Sequence, residues 1–433
     1  MQNPITAVLV GAGNRADVYA KVSLSHPDKL KIVGIVDPDP VRRGLMRDKY
    51  SVDENNCFDS VDDFVKREKL ADAVINGTMD WLHVPTSMPI LKAGYDMLLE
   101  KPFAVNEAEM NELVDAARRL GRRVVVCHVL RYTDFYRAVR SHVDSGELGD
   151  IISIEMCEHV NYHHMAVSYV RGKWRSEESC HAPMLLAKSC HDIDILLWMM
   201  KGSKSAPHPV AVSSFGGDFQ FGHDRKPALA GTRCMTDCPI SDTCIFSAKA
   251  NYLDAVRWTQ YVWKPLEGKG ELSYEDKANS LSTDNPYGRC VWDFDRGSNV
   301  DHQTVMINFS NGAVGTFSMI GGSSKSERNI HIVGTRGEIK GTFEDSRFVL
   351  RTMTPSTKTG YEEREFDLRV SGDMIGASGG HGGGDEHLVL DFVDYISGGA
   401  PSVSCATLDD SMLSHLTVFR AETARKSNSV TAI

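Results

Sequence analysis

The sequence predicts an α/β protein that begins with a doubly wound parallel sheet and continues into a C-terminal α+β domain with a large, mostly antiparallel open sheet. Its 433 residues are too many for one ordinary domain, and 42% of them are hydrophobic, which is ample for two cores. Residues 5–130 alternate short apolar runs with amphipathic stretches, as parallel strands covered by helices do. After Arg131 the apolar runs lengthen and partly alternate, which indicates antiparallel strands. We therefore divide the chain into domains 1–130 and 131–433.

The predicted elements follow in order along the chain. Five strands are predicted in the first domain, at ITAVLVGA, KIVGIVDP, ADAVINGT, DMLLEKP and RVVVCHVL. The strands of the second domain are predicted at DIISIEMCEHV, PVAVSSFGGDF, HQTVMINFS, AVGTFSMIG, RNIHIVGTRGEIKGTF and RFVLRTM. One buried helix, residues 182–198, interrupts them. Residues of about 203–298, rich in Pro, Gly, Cys and charge, are predicted to form an insertion with little regular structure, and the glycine-rich residues 378–387 a loop.

Charge and composition exclude several classes of partner. The net charge is −10 and no basic cluster is longer than ARRLGRR, so neither nucleic acid nor an anionic membrane is expected. The N-terminus runs into a strand without the basic region and cleavage site of a signal peptide, and no apolar run reaches about 18 residues. We therefore expect a cytoplasmic protein that binds a small soluble molecule.

The turn after the first strand has the pattern of a dinucleotide-binding site. Gly11, Gly13 and Ala16 have the spacing G-x-G-x-x-A between a strand and a helix. The first glycine permits the tight turn, the second lets the backbone approach a pyrophosphate, and the small third residue lets the helix pack on the strand. The phosphates are then expected at the helix N-terminus.

An acidic residue at the end of the second strand strengthens this prediction. Asp37 lies at the distance from the glycines where a carboxylate accepts hydrogen bonds from the ribose hydroxyls. A carboxylate there also repels a 2′-phosphate, which favours NAD over NADP. Arg42 and Arg43 lie close enough to leave NADP possible.

Further motifs resemble those of the Gfo/Idh/MocA family of sugar and inositol oxidoreductases. They are LLEKPFAV (98–105), NGTMDWLH (76–83), DSGELGDI (144–151) and the helix that carries His191. The resemblance implies an N-terminal Rossmann domain, and a C-terminal domain whose open sheet faces the active site and often forms an oligomer interface. It also implies NAD-dependent oxidation of a secondary hydroxyl, and a homo-oligomer, either a dimer or a tetramer.

The resemblance assigns roles to residues of the first domain. Lys101 is expected to bind the reacting hydroxyl, and its ammonium favours the negative charge that develops there. Pro102 is often a cis-proline in relatives, and Glu100 is expected to orient Lys101 or to contact the cofactor. The full set expected along the cofactor is Gly11, Gly13, Asn14, Arg15, Ala16, Asp37, Thr78, Met79, His83, Glu100, Lys101 and Arg131.

The helix at 182–198 supplies the expected base, His191, whose ordinary pKa suits proton removal from a hydroxyl. Many relatives carry an aspartate four residues earlier, where this chain has Ala187. Lys188 is expected to pair with Asp192 at i, i+4 and to keep His191 neutral, or to contact substrate hydroxyls itself. Asp194 is expected on the substrate side of the cleft, where it either orients His191 or has a structural capping role.

Other polar segments are candidates for the substrate side of the cleft. Aromatic rings stack on sugar C–H surfaces, and Arg and His donate to hydroxyls. In NYHHMAVSYVRGKWR (161–175) the candidates are His164, Tyr169, Arg171, Trp174 and Arg175. A packing role between domains is the alternative for this segment. Asp301, His302 and His381 lie in segments that resemble those bordering the cleft in relatives.

Four cysteines of the insertion form a candidate metal site. A structural zinc could hold together this loop, which lacks a hydrophobic core of its own. Its ligands would be Cys234, Cys238, Cys244 and Cys290. The spacing is not the usual one for zinc. Free thiols are an equal alternative, and an iron–sulfur cluster or disulfides are less favoured.

Three functions fit these patterns. The first is an NAD(P)-dependent dehydrogenase acting on a sugar, sugar derivative or inositol, with Lys101, His191 and Lys188 as catalytic residues. The second is a redox-assisted, glycoside-cleaving enzyme with tightly held NAD. The third is a non-catalytic dinucleotide-binding sensor, against which the presence of both Lys101 and His191 argues.

Overall fold

The first half of the chain folds around a parallel sheet. The computed structural model describes residues 3–369 and 381–433. Within these residues the sheet has the order β3-β2-β1-β4-β5-β6, and all its neighbouring strands are parallel. Its strands are β1 (Ile5–Val10), β2 (Leu30–Val36), β3 (Cys57–Phe58), β4 (Ala73–Asn76), β5 (Asp96–Leu99) and β6 (Val124–Val126). The predicted doubly wound sheet is confirmed, and the two-residue β3 is an addition to the predicted strands.

Helices cover both faces of this sheet because its strand residues alternate between two cores. In β1, Ala7 and Leu9 pack on one side and Val8 and Val10 on the other. The helices of this half are α1 (Asn14–Ala20), α2 (Val22–Ser25), α3 (Pro40–Tyr50), α4 (Val61–Val65), α5 (His83–Lys92), α6 (Glu107–Leu120) and α7 (Asp134–Asp144). The order of the strands reverses between β1 and β4, which in open α/β sheets creates a crevice at the carboxyl ends of the strands.

The second half contains a large open sheet, in the order β14-β13-β12-β11-β7-β10-β9-β8-β15 among the described residues. The pair β7–β10 is parallel and the other neighbours are antiparallel. This confirms the predicted, mostly antiparallel sheet. The strands are β7 (Ile151–Asn161), β8 (Pro209–Gly217), β9 (His302–Phe309), β10 (Val314–Ser323), β11 (Glu327–Gly334), β12 (Gly337–Thr342), β13 (Arg347–Met353), β14 (Tyr361–Asp367) and β15 (Thr431–Ala432).

The helices of the second half pack on one face of the large sheet or return to the parallel sheet. They are α8 (Tyr162–His164), α9 (Glu177–Cys180), α10 (Met184–Ala187), α11 (Cys190–Gly202), α12 (Thr259–Val262), α13 (Tyr274–Ser282), α14 (Gly384–Ile396) and α15 (Leu408–Ser427). Leu196 of α11 and Val418 of α15 share a core with the large sheet. Leu388 and Phe392 of α14 pack instead with Leu9 of β1. No described helix combines the length and apolar character that crossing a membrane requires.

Two local predictions need correction. The loop predicted at residues 378–387 becomes α14 from Gly384 onward, because the apolar residues that follow pack on the parallel sheet; residues 378–380 lie outside the described part of the chain. The helix predicted at 182–198 is two helices, since α10 ends at Ala187 and α11 begins at Cys190. The interruption falls at Lys188 and Ser189.

The insertion is shorter than predicted, because residues up to Gly217 complete β8 of the large sheet. We use the name insertion for residues 218–301, between β8 and β9. Its α12, α13 and shorter helical turns enclose a small core that includes Tyr252, Trp258, Trp263 and Leu281.

The predicted zinc site is not supported. Within the described residues no three His, Cys, Asp or Glu side chains come together as metal ligands do, and the ten cysteines are free. Arg171, 2% exposed, occupies the interior of the insertion instead. Its guanidinium donates to the carbonyls of Arg289 and Phe246, both at 2.9 Å, and to the hydroxyl of Tyr252 at 3.1 Å, and it approaches Cys234 Sγ at 3.6 Å. A buried arginine therefore ties the loops together where a metal was expected.

Replacing Arg171 by methionine is expected to loosen the insertion. The variant keeps the apolar stem of the side chain but leaves the carbonyls of Phe246 and Arg289 without this donor, which costs about 2–4 kcal/mol in the free energy of unfolding. Urea unfolding followed by tryptophan fluorescence measures the loss. Arg119→Met, at an exposed arginine of α6, is the control and should change the free energy by less than about 0.5 kcal/mol. Equal effects of the two variants would contradict the role of Arg171.

Candidate active site

A cleft of about 860 Å³ lies where the carboxyl ends of the parallel strands meet the large sheet and the insertion. The turn after β1, the loops after β2, β4 and β5, and the segment around the α10–α11 break all line it. The predicted residues that line it are Gly11, Gly13, Asn14, Arg15, Asp37, Thr78, Met79, His83, Glu100, Lys101, His164, Tyr169, Trp174, Lys188, His191 and His381. The three predicted catalytic residues therefore share one cleft with most of the predicted cofactor residues.

The turn after β1 has the shape that a pyrophosphate requires. Gly11 has a φ of +82°, and a Cβ there would lie 2.9 Å from the backbone of Gly77. A Cβ on Gly13 would meet no described atom within 4 Å, so the backbone is open to the cleft at this point. Ala16 lies below the turn, where a Cβ on Gly77 would come within 2.8 Å of the Ala16 Cβ. Ala16 thus permits close packing of α1 and does not itself line the cleft.

Asp37 fixes this turn and still faces the cleft. Its Oδ2 accepts from the N–H of Ala12 at 2.6 Å, and its Oδ1 accepts from the N–H of Asp39 at 2.8 Å. Each carboxylate oxygen has a second lone pair. The carboxylate can therefore also accept from ribose hydroxyls, and the residues present fit a bound dinucleotide.

A buried network of charges supports Lys101 from behind. Glu100 accepts from Arg15 Nε at 3.0 Å, from the hydroxyl of Tyr19 at 2.7 Å and from the N–H of Lys101 at 2.8 Å. Burial opposes ionisation of Glu100, but Arg15 and Lys101 outweigh it and lower its pKa. Arg15 also binds Asp385 at 2.5 Å, and Asp385 in turn binds Nδ1 of His381. Arg15 and Glu100 therefore stabilise the loop that carries Lys101 and also form part of the cleft wall.

The loop that carries Lys101 is held by two buried histidines. The Lys101–Pro102 peptide bond is cis, as the sequence resemblance implied. His83 Nδ1 lies 2.6 Å from the carbonyl oxygen of Pro102, and His415 Nε2 accepts from the N–H of Phe103 at 3.1 Å. The position of Lys101 is thus fixed from both sides, by α5 and by α15.

Lys101 reaches across the cleft to the break between α10 and α11. Its Nζ donates to the carbonyl oxygen of Ala187 at 3.1 Å. In an unbroken helix this carbonyl would accept from the N–H four residues later, so the break makes it available to Lys101. Burial works against the charge of Lys101, but Cys190, Glu100 and Asp80 outweigh it and raise its pKa. The ammonium ion is therefore the stable form.

His191 lies beside this contact and remains neutral. It is 9% exposed, and its Nδ1 has no hydrogen-bond partner among the described residues. Burial, and after it the positive charge of Lys101, holds its pKa well below the ordinary value. We expected Lys188 to keep His191 neutral; that expectation is wrong because Lys188 is engaged elsewhere.

Lys188 belongs to a network of charges that the sequence did not reveal. Its Nζ binds Oε1 of Glu158, and the guanidinium of Arg328 binds the same carboxylate. Asp192 binds Arg328 at 2.9 Å and not Lys188, because Lys188 lies in the break while Asp192 lies on α11, so the two do not share one helix face. Burial opposes ionisation of Glu158, but Arg328 and Lys188 lower its pKa. Burial and the nearby charge of Glu158 raise the pKa of Asp192.

Strand periodicity could have identified both missing partners. Glu158 follows the inward-facing Ile154 and Met156 of β7 at intervals of two, and Arg328 precedes the inward-facing Ile330 of β11 in the same way. A charge at an inward position is expensive unless it is paired. These charges therefore had to meet partners, which the α10–α11 segment supplies.

Aromatic residues form another part of the cleft wall. His164 stacks on Trp258 of the insertion, with ring centroids 4.4 Å apart. Trp174 Nε1 donates to Asp80 at 3.0 Å, and Tyr169 lies between these two groups. Tyr261, also from the insertion, lines the cleft and was missed in the sequence.

The remaining predicted residues lie outside the cleft as the described residues define it. Arg131 and Asp194 form a buried pair with N···O distances of 2.6 and 2.7 Å. Asp301 accepts from the N–H groups of Phe219 and Gln220 and anchors the start of the insertion. Arg175 and His302 also lie outside the cleft. Arg171 is enclosed in the insertion.

Comparison with known proteins agrees with this geometry. The model of the NAD-binding Rossmann fold of the Gfo/Idh/MocA oxidoreductase family matches residues 5–128. The family's C-terminal domain models match residues 136–226 and 266–420. The chain belongs to the Gfo/Idh/MocA family. It is thus a member of an oxidoreductase family with an NAD-binding Rossmann domain.

Two relatives show how similar in sequence other proteins are to this Gfo/Idh/MocA protein. The oxidoreductase YteT of Bacillus subtilis (strain 168) is 23% identical over 83% of this chain and 81% of its own. An inositol 2-dehydrogenase of Salmonella paratyphi B is 23% identical over 45% of this chain and 54% of its own length.

Two solved structures share the fold of this Gfo/Idh/MocA protein. An oxidoreductase from Agrobacterium radiobacter, in complex with NAD⁺, L-tartaric acid and magnesium, has a TM-score of 0.68 at 14% identity, covering 99% of this chain and 98% of its own. An oxidoreductase from Desulfitobacterium hafniense DCB-2, described as NADPH-dependent, has a TM-score of 0.67 at 15% identity, covering 100% and 98%.

Asp194→Asn in this Gfo/Idh/MocA protein is expected to destabilise the wall behind His191. The guanidinium of Arg131, 4% exposed, would remain buried without its carboxylate, at a cost of about 3–5 kcal/mol in the free energy of unfolding. The double variant Arg131→Met/Asp194→Leu should recover most of the loss, because it removes both charges together. Urea unfolding of the three proteins measures this. A loss below about 1 kcal/mol for Asp194→Asn would show that the pair is dispensable.

Proposed function

We propose that this protein is an NAD-dependent dehydrogenase that oxidises a secondary hydroxyl of a sugar, a sugar derivative or an inositol. The observation that carries the proposal is the convergence of Lys101 and His191, from opposite sides of the cleft, beside the turn formed by Gly11 and Gly13. A relative named inositol 2-dehydrogenase supports the substrate class. A cytoplasmic homo-oligomer remains a prediction from the sequence.

The chemistry needs a proton acceptor and a positive charge at the same oxygen. His191 is neutral and can take the hydroxyl proton. Lys101 is charged and stabilises the alkoxide that forms as the O–H proton leaves, before departure of the hydride converts that oxygen into a carbonyl. Bound NAD supplies the acceptor for the hydride. The turn at Gly11–Gly13 and Asp37 would hold the dinucleotide, and Glu100 with Arg15 keeps the Lys101 loop in place.

Lys188 is suited to bind the substrate rather than to take part in proton transfer. Its ammonium is neutralised by Glu158 but still lines the cleft. An ammonium ion has three N–H donors, so donors remain for substrate hydroxyls. With the rings of His164, Tyr169 and Trp174 it would form the sugar-binding wall.

A screen of sugars, sugar acids and inositols for NADH formation tests the proposed function. Net NADH absorbance is expected with at least one of these compounds. A redox-neutral glycoside-cleaving enzyme would instead release an aglycone without accumulation of NADH. A panel that gives neither product, with NAD binding intact, would contradict the proposal.

Removing either reacting group is expected to abolish most of the turnover. Lys101→Met and His191→Asn should each lower kcat by about 10²–10⁴-fold, because each removes charge stabilisation or proton transfer at the reacting oxygen. His142→Gln is the control, since His142 of α7 pairs with Glu147 just beyond that helix and does not line the cleft. Steady-state kinetics give kcat, and NADH fluorescence gives the retained cofactor affinity. Unchanged kcat in Lys101→Met would eliminate the mechanism.

The pH profile follows from the same two groups. The free His191 must be unprotonated, and its lowered pKa places the acid limb of kcat/KM below pH 6.5, the ordinary value for histidine. Lys101 must be protonated, and its raised pKa places the alkaline limb above pH 10.5, the ordinary value for lysine. Activity should therefore be constant between these limbs. An acid limb centred above pH 6.5 would be inconsistent with a buried, neutral His191.

A further inference from the structure

The insertion forms part of the wall at the end of the cleft where Asp37 is found. Lys264 and Glu267 of the insertion line the cleft together with Asp37, Asp39 and Arg42. Gly268 has a φ of +85°, and a Cβ there would lie 2.9 Å from Cγ1 of Val41. The insertion thus packs directly on the first turn of α3, the helix that follows Asp37.

An ion pair joins the two surfaces at this point. Arg42 Nε lies 2.9 Å from Oε2 of Glu267 and 3.7 Å from Oδ2 of Asp39. The Arg42 side chain is 18% exposed and that of Glu267 is 38% exposed. The guanidinium that the sequence left available for a 2′-phosphate is therefore held by a carboxylate from a distant part of the chain.

Two further groups beside Asp37 that could bind a 2′-phosphate are also engaged. Arg43 binds Asp59 at 2.7 Å and donates to the carbonyl of Asp37 at 2.6 Å. The side chain of Asp39 accepts from the N–H groups of Val41 and Arg42, so the N-terminus of α3 is already capped by a carboxylate.

The balance of charge here opposes a further dianion. The cations at this end of the cleft include Arg42, Lys264 and Lys173, the last of which interacts electrostatically with Arg42. The carboxylates that line it are those of Asp37, Asp39, Asp59, Asp62 and Glu267. A phosphate on the ribose would have to displace Glu267 from Arg42 and would meet the repulsion of the remaining carboxylates.

We propose that Glu267 is a specificity-determining residue, which selects NAD over NADP by holding Arg42 away from the ribose 2′-position. The inference rests on the proposed function for the dinucleotide alone and not for the substrate. The fold does not decide between NAD and NADP, since solved structures that share it include an NAD⁺ complex and an oxidoreductase described as NADPH-dependent. Selectivity is therefore assigned to a residue of the insertion acting together with the carboxylate after β2.

Dinucleotide binding without substrate tests the inference. Dissociation constants for NADH and NADPH are measured by tryptophan fluorescence quenching on the full chain freed of bound nucleotide. The wild type should bind NADH more tightly than NADPH. Glu267→Gln should tighten NADPH binding about fivefold, the upper range for an exposed charge pair, and leave NADH within about twofold.

Two further variants make the result specific. Glu271→Gln is the matched control, since Glu271 is an exposed carboxylate of the insertion with no ion pair among the described residues; it should leave both constants unchanged. Arg42→Gln added to Glu267→Gln should cancel the gain in NADPH binding, because the freed guanidinium provides it.

The outcomes separate this inference from the proposed function. Intact NADH binding with a selectivity that Glu267→Gln does not alter overturns the inference alone. So does a wild type that prefers NADPH, or an equal effect of Glu271→Gln. A wild type that binds neither dinucleotide overturns the proposed function as well.

Discussion

The contact between the ammonium of Lys101 and the carbonyl of Ala187 is the interaction on which the geometry of the cleft depends. It joins the parallel sheet to the large-sheet half of the molecule beside His191. It exists because α10 stops before α11 begins, which leaves one carbonyl oxygen for a partner outside the helix. Many relatives carry an aspartate where this chain has Ala187. Here the backbone carbonyl of Ala187 accepts from Lys101, so the lysine has an acceptor at this position without a carboxylate.

Pairing of buried charge explains the polar cluster within the apolar α10–α11 segment. Lys188 and Asp192 face the large sheet, where Glu158 and Arg328 neutralise them. Asp194 faces the other way and binds Arg131. His191 remains between the two ion-pair groups and faces the cleft as a neutral side chain. The two ion-pair groups thus fix the helix on both sides of His191, whereas the imidazole itself has no hydrogen-bond partner at Nδ1 among the described residues.

The sequence predicted those features that depend on short stretches of chain. Gly11, Gly13 and Asp37 are recognisable because turn geometry and strand ends constrain nearby residues, and Lys101 and His191 lie in local motifs. Strand periodicity marks Glu158 and Arg328 as inward-facing charges, but their pairing with Lys188 is set by sheet topology, which short stretches do not reveal. The zinc site, weighed equally with free thiols, finds no support among the described residues for a related reason. Cysteine spacing does not reveal that a buried arginine already bonds the surrounding loops.

The packing of α14 affects how the protein folds during its synthesis. Leu388 and Phe392 cover one face of the parallel sheet, and Ala406 and Thr407 pair with its edge strand β6. On the ribosome, residues 5–130 would emerge long before these segments and would expose an apolar face and an open strand edge, which are surfaces that favour aggregation and chaperone binding. The nucleotide-binding domain is thus completed by segments that follow β14, and therefore most of the large sheet, along the chain. The protein therefore has to mature as one cooperative unit, although its backbone is organised as two domains.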